Sequence, residues 1–241
     1  MAVSPVEQFR IETLVPIKLG NLDVSFTNSA MFMVLAVILV SALFLLSVRR
    51  RAMVPGRWQS VSEMLYEVTA NMVRDNAGVE GRRYFPFVFT LFLFLLCGNL
   101  IGMVPYTFTF TSHIAVTFAL AIFVFIAVTI IGFARHGLHF LRMFFPHGAP
   151  LASAVILIPI ELISYLSRPF SLAIRLAANM MVGHVILKLL AGFIIALGIA
   201  GILPMAFLGA ITMLEFFIAV LQAYVFTILA CVYLRDAIHM H

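Results

Sequence analysis

The last third of the chain sets Glu161, Arg168, Arg175, Asn179, His184, Lys188, Glu215 and Gln222 into otherwise apolar sequence. Ionisable groups at membrane depth are costly and point by default to function. Glu161, Arg168 and Arg175 recur every seven residues, and two helical turns return nearly to the same face, so they form one polar stripe. Asn179, one turn past Arg175, extends it. His184 falls roughly on the opposite face, where Lys188 joins it one turn on, and Glu215 and Gln222 are again two turns apart. His, Glu, Asn and Gln in apolar helices suit proton relay, because imidazole titrates near neutral pH and a carboxyl buried in apolar surroundings approaches it. Arg cannot relay protons, since its pKa stays above ~12. A fixed cation among relay groups blocks protons and attracts a carboxylate.

Each of these residues also has a structural reading. Arg168, before Pro169, can snorkel to an interface, and so can Lys188. Glu161 can pair with Arg168, His184 can be a satisfied core histidine, and Gln222 can make a single interhelical hydrogen bond. Arg175 fits a structural reading least: near-apolar helix follows it and it has no capping role. The chain carries no nucleotide loop, HExxH, CxxC or nucleophile elbow, so soluble-type catalysis is unsupported and no cofactor is implied. Cys97 and Cys231 each sit inside an apolar run and offer neither a disulfide framework nor metal spacing.

The elements that must position these groups follow from composition. The chain has 241 residues, 63% hydrophobic and 10% charged, against ~45–50% and ~25% in ordinary globular domains. That excludes a single soluble core and intrinsic disorder, and predicts an all-α integral membrane protein. Residues 1–28, with Glu7, Glu12 and Asp23, read as an extramembrane tail and not as a signal peptide. Residues 29–241 read as a single membrane domain. Ala30 to Val48 runs without a charge, about the ~20 residues a crossing needs. Thr27, Asn28 and Ser29 offer caps before it, and Arg49-Arg50-Arg51 stops it.

After the Pro55-Gly56 turn, Ser60-Val61-Ser62-Glu63 reads as a capping box. It opens an amphipathic helix at about 58–76, with Trp58, Val61, Leu65, Val68 and Met72 on its apolar face and a position on the membrane surface. Phe87 to Val104, closed by Pro105, and His113 to Phe133 are the next two spans. Leu151 to Leu203 shows no clear loop; a straight helix of that length would reach ~80 Å across a core ~30 Å thick. It is either two spans broken near Arg168-Pro169 or one very oblique helix. Pro204 to Leu234, whose single charge is Glu215, also exceeds an upright span and predicts tilt. The expected fold is therefore about five crossings and one surface helix, with the last two helices a long tilted hairpin at about 151–236.

Net charge is +5. Arg49, Arg50, Arg51, Arg57, Arg74, Arg82 and Arg83, and the loop with Arg135, His136, His139, Arg142 and His147, fall on one side. The loops at 105–112 and 198–203 carry no Lys or Arg. The N-terminus is then outside and the C-terminus inside. The cations are juxtamembrane, and no basic–aromatic stripe suggests nucleic acid. Internal repeats, which would suggest an inverted-repeat transporter, are not apparent.

Arg175-Leu-Ala-Ala-Asn179-Met-Met-Val-Gly183-His184 resembles the signature of the a subunit of F-type ATP synthases. So do Leu214-Glu215 and Leu221-Gln222-Ala223-Tyr224-Val225-Phe226. The resemblance extends to the Pro55-Gly56 turn, the surface helix, Gly98-Asn99-Leu100 and Tyr233-Leu234. It implies a proton-conducting stator wall whose last two helices lean against a ring of c subunits. It also implies peripheral-stalk partners of the b type, the whole F1F0 complex, and the bacterial cell inner membrane, with the mitochondrial inner membrane as the alternative. In that resemblance Arg175 matches the family's essential arginine, opposite the c-subunit carboxylate and between two aqueous half-channels. His184 and Glu215 match the polar pair of the outer half-channel, Asn179 and Gln222 match polar residues beside the arginine, and Glu161 matches an acidic residue of the inner one. Two departures stand out. Many bacterial members have Glu and His where this chain has His184 and Glu215, so the exchanged pair resembles the mitochondrial and alphaproteobacterial pattern. Some also have Asp where this chain has Gly102, which leaves Asn99 as a secondary outer-channel candidate.

Three other readings compete. A proton-coupled transporter would need a substrate cavity and paired discontinuous helices. A purely structural membrane subunit would tolerate neutral residues at 175, 184 and 215. An intramembrane enzyme would need a nucleophile–base or metal constellation.

Overall fold

A computed structural model describes residues 10–19, 22–23, 25–49, 54–104, 107–137, 139–140 and 151–239. Glu7, Arg50, Arg51, Pro105, Tyr106, Arg142 and His147 lie outside the described residues. The helices are α1 (Asn28–Arg49), α2 (Arg57–Ala77), α3 (Phe85–Gly102), α4 (Ile114–His136), α5 (Leu151–Leu197) and α6 (Ile202–Ile238). Short 3-10 turns at Glu80–Tyr84, Phe110–Ser112 and Gly198–Gly201 lie between them. All but α2 are long and apolar enough to cross a membrane, so the expected five spans and one further helix are found.

The tail before α1 has strands the sequence did not announce. Thr13–Val15 pairs antiparallel with Phe26–Thr27, and Lys18–Leu19 with Leu22–Asp23. A two-stranded ribbon is marginal alone, and this one is tied to the next helix: Asn28 Nδ2 donates to the Arg10 carbonyl at 3.1 Å. The α1 start is capped as expected, with the Ala30 amide donating to Thr27 Oγ1 at 3.3 Å.

Helix α2 departs from the sequence reading in two ways. It starts at Arg57, so Ser60 is already inside it and donates its hydroxyl back to the Gly56 carbonyl at 3.2 Å. The side chain of Glu63 accepts from Gln59 Nε2 at 2.8 Å. The capping box is therefore not formed, because the turn at Pro55-Gly56 lets the helix begin one turn earlier. The buried face is also rotated from the one expected. Ser62, Thr69, Met72, Val73 and Ala77 face the protein, while Trp58, Val61 and Val68 are exposed. Small and hydroxylic side chains allow close packing there: Ser62 and Ser47 of α1 share a hydrogen bond at 2.6 Å.

Helix α5 is one continuous helix through Pro159 and Pro169, so the chain is not broken near Arg168-Pro169. Prolines persist in membrane helices where neighbours compensate the freed backbone groups. With 47 residues in α5 and 37 in α6, the rises of ~70 and ~55 Å far exceed ~30 Å of hydrocarbon. The two pack against one another, with Ala173 and Ala177 of α5 and Ala219 and Ala223 of α6 all buried. Small residues at such contacts let helices approach closely. The core lies among α3, α4, α6 and the middle of α5, around Val88, Leu95, Val124, Leu172, Leu176 and Phe226.

The ends of the spans sort by charge. Arg135 at the end of α4 pairs with Glu80 before α3, and His136 Nε2 donates to the Ile238 carbonyl at the end of α6 at 3.0 Å. The basic ends thus meet on one side. On the other lies the neutral 107–113 segment, where His113 stacks on Phe108 with centroids 4.9 Å apart. Burial pushes the His113 imidazole below its ordinary value, so it stays neutral at physiological pH and the segment keeps no charge.

Candidate functional site

Along the middle of α5, Tyr165, Pro169, Leu172, Ala173, Leu176, Ala177 and Met180 turn inward. Arg175 falls on the other side, exposed among Phe170, Ile174 and Val182. Its guanidinium has no ion pair among the described residues. Of the most apolar stretch of α5, 6% is buried, against 44% for that of α6.

His184 lies nine residues beyond Arg175 on the opposite face, as the helical spacing predicted, and that face turns toward the interior. Its Nδ1 is 2.5 Å from Glu215 Oε1 of α6, and the Glu215 side chain is 3% exposed. Its Nε2 is 2.9 Å from the Gly102 carbonyl and 2.9 Å from Thr109 Oγ1. Gly183 makes room for the pair, because a Cβ there would overlap the Glu215 carboxyl. The imidazole and the carboxyl are thus in direct hydrogen-bonding contact across α5 and α6. Nearby, Asn99 is fully buried and its Nδ2 donates to the Ala219 carbonyl of α6 at 2.9 Å. That bond fastens α3 to the α6 backbone. Asn99→Ala is expected to lower stability by about 1–2 kcal/mol, read as a lower thermal midpoint of the detergent-solubilised protein; an unchanged midpoint would remove Asn99 from this role.

Between Arg175 and His184, Asn179 Nδ2 donates to Gln222 Oε1 at 2.7 Å. Gln222 is buried, and its Nε2 has no protein partner among the described residues. Toward the basic side, Arg168 does not pair with Glu161. It pairs with Asp236 of α6 at 2.8 Å and lies over the rings of Tyr165 and Tyr233, 5.5 and 5.0 Å from their centroids. Tyr165 in turn shares a 2.7 Å hydrogen bond with Thr129 of α4. Glu161 and Lys188 are half-buried, and neither has an ion pair among the described residues. The site thus has two polar clusters about 24 Å apart along α5, from residue 168 to residue 184, with Arg175 between them on the open face.

Sequence reasoning missed Asp236, Tyr165, Tyr233 and Thr109. Asp236 sits beside Arg235 at a helix end, where a charge looks like a solvated terminus. Thr109 offered one signal, the density of hydroxyls at Thr107, Thr109, Thr111 and Ser112 in a loop without charge.

The family profile described as ATP synthase A chain matches residues 30–235, from the first turn of α1 to the last turns of α6. The chain belongs to the ATP synthase A chain family. Its relatives include the ATP synthase subunit a of Paramagnetospirillum magneticum and that of Rhodospirillum rubrum, each 65% identical over 99% of both chains. The ATP synthase subunit a of Mesorhizobium japonicum is 53% identical over 98% of this chain and 97% of its own. With five membrane-capable helices, this family member is a multi-pass membrane protein. The family match includes Glu161, Arg168, Arg175, Asn179, His184, Glu215 and Gln222 and ends one residue before Asp236.

Proposed function

We propose that this chain is the proton-conducting subunit a of an F-type ATP synthase, which couples proton flow to rotation of a c-subunit ring, in the bacterial cell inner membrane. It does so as a non-catalytic part of the F1F0 complex, held by b-type stalk subunits. The single observation that carries the reading is Arg175, exposed on the apolar face of α5 and without an ion pair among the described residues. A guanidinium at membrane depth needs a counter-charge; none of the described residues forms an ion pair with it, and the carboxylate of a passing c subunit supplies one. The face shared by α5 and α6, with Phe170, Ile174, Phe217 and Leu221 exposed around Arg175, is the surface that meets the ring.

The two polar clusters are then the inner ends of two half-channels. His184 and Glu215 lie toward the uncharged loops, and load or unload protons on the outer side. Glu161 and the Arg168–Asp236 pair lie toward the basic ends and serve the inner side. Asn179 and Gln222 hold the polar surface next to Arg175. Because the clusters are offset along α5, a proton passes from one to the other only by riding on the ring. Moving one charge through 100 mV releases ~2.3 kcal/mol, which the offset converts into rotation.

Cysteine cross-linking tests the geometry in a background with Cys97→Ala and Cys231→Ala. Ala178 is exposed one turn from Arg175, and Ala177 beside it is buried. Ala178→Cys is expected to form a disulfide with a cysteine placed next to the c-subunit carboxylate, and Ala177→Cys is not. No cross-link from 178, or an equal one from 177, would put the ring elsewhere.

A further inference from the structure

The structure assigns Thr109 a positioning role: with the Gly102 carbonyl, its hydroxyl holds the His184 ring with a proton on Nε2, leaving Nδ1 as the nitrogen that exchanges a proton with Glu215. This rests on the proposed proton-conducting role of the His184–Glu215 pair.

The contacts of Nε2 favour a hydrogen on that nitrogen, and the Met180 carbonyl also lies against the ring. A backbone carbonyl only accepts, so the Gly102 oxygen, 2.9 Å from Nε2, requires a hydrogen on that nitrogen. Thr109 Oγ1 is 3.2 Å from the same carbonyl and donates to it. Its lone pairs are then free to meet the Nε2 hydrogen at 2.9 Å. Hydroxyl, carbonyl and ring nitrogen form a closed triangle in which every donor has an acceptor.

The triangle is held from three elements. Thr109 is 3% exposed, and its own carbonyl accepts from the Ser112 hydroxyl at 2.7 Å. Gly102 ends α3 and has no side chain; a Cβ there would overlap the Thr109 side chain. His184 comes from α5. The ring is thus fixed at its far edge, with Nδ1 aimed at Glu215 Oε1.

The consequence is a defined proton position. Neutral His184 keeps its Nε2 hydrogen and presents a lone pair at Nδ1, facing a protonated Glu215. Transfer breaks the carboxyl O–H bond and forms the Nδ1–H bond, giving imidazolium and carboxylate; the reverse step restores both. The other neutral tautomer would aim a ring lone pair at the Gly102 carbonyl and is disfavoured. A fixed tautomer spares the ring a flip in each transfer, in the way that outer partners orient histidines in metal sites.

Thr109→Val keeps the shape and removes the hydroxyl; Thr109→Ser keeps the hydroxyl. The whole complex is assayed in inverted vesicles for ATP-driven acidification and for passive proton uptake under a potassium diffusion potential. Thr109→Val is expected to slow both about tenfold with assembly unchanged, and Thr109→Ser to stay within about twofold of wild type. Wild-type rates in Thr109→Val, or an equal loss in Thr109→Ser, would overturn the assignment, since packing alone would then explain the residue. If Thr109→Val does not assemble, the contrast between Thr109→Ala and Thr109→Ser decides in the same way. Arg175→Ala in the same vesicles separates the two levels. Normal pumping in Arg175→Ala sinks the coupling role itself, whereas its loss beside wild-type rates in Thr109→Val sinks only the positioning role.

Discussion

Replacing Arg175 by Ala is expected to abolish ATP-driven acidification of inverted vesicles while the complex still assembles and conducts protons passively. Two charges 4 Å apart attract by about 4 kcal/mol at the effective dielectric of a protein surface. Removing that attraction lowers the ionised fraction of the c-subunit carboxylate at this point by about three decades. A carboxyl that stays protonated carries its proton past the site, so the offset between half-channels no longer blocks a leak. Arg175→Lys keeps a charge in solution, but an ammonium loses its proton when desolvated and lacks the planar fork of guanidinium. It is expected to restore less than about a tenth of the pumping. Full pumping in Arg175→Ala would end the motor reading in favour of a structural subunit. Full pumping in Arg175→Lys would show that charge alone suffices.

Glu215→Gln is expected to reduce both pumping and passive conduction about a hundredfold, the lower range for loss of a positioned acid–base group. The amide is nearly the same shape as the buried carboxyl but neither gains nor gives up a proton in this pH range. Loss of passive conduction distinguishes it from Arg175→Ala, which keeps or raises it. The double exchange His184→Glu with Glu215→His is expected to recover part of the rate, because one proton between an imidazole and a carboxyl is available in either order. Conduction at the wild-type rate in Glu215→Gln would remove the pair from the proton path. Additive losses in the double exchange would show that the two act apart.

The helical spacing correctly placed Arg175 and His184 on opposite sides of α5, since the angle between residues nine apart follows from helix geometry alone. It did not say which side was interior. Arg168 shows the limit from the other direction. Its position in the stripe was legible, yet its partner is Asp236, separated from it by most of the hairpin. Pairing across two helices depends on their register, which no local pattern encodes. The α2 helix repeats the lesson: its period was plain, but its buried face carries Ser62, Thr69 and Ala77 and leaves Trp58 outside.

By itself, the sequence determined the number of spans, the overlong last two helices, the side that carries the basic loops, and the polar positions at 175, 179, 184, 215 and 222. These follow from run length, charge placement and the period of the helix. Only the tertiary structure decided that α5 runs unbroken through Pro169, that Arg175 is left on an open face, and that Glu215, Gly102 and Thr109 converge on His184. The physical reason is the solvent. Lipid is as apolar as a protein core, so lipid-facing and buried residues read alike in sequence. What separates them is close contact, and that comes into being only when the helices pack.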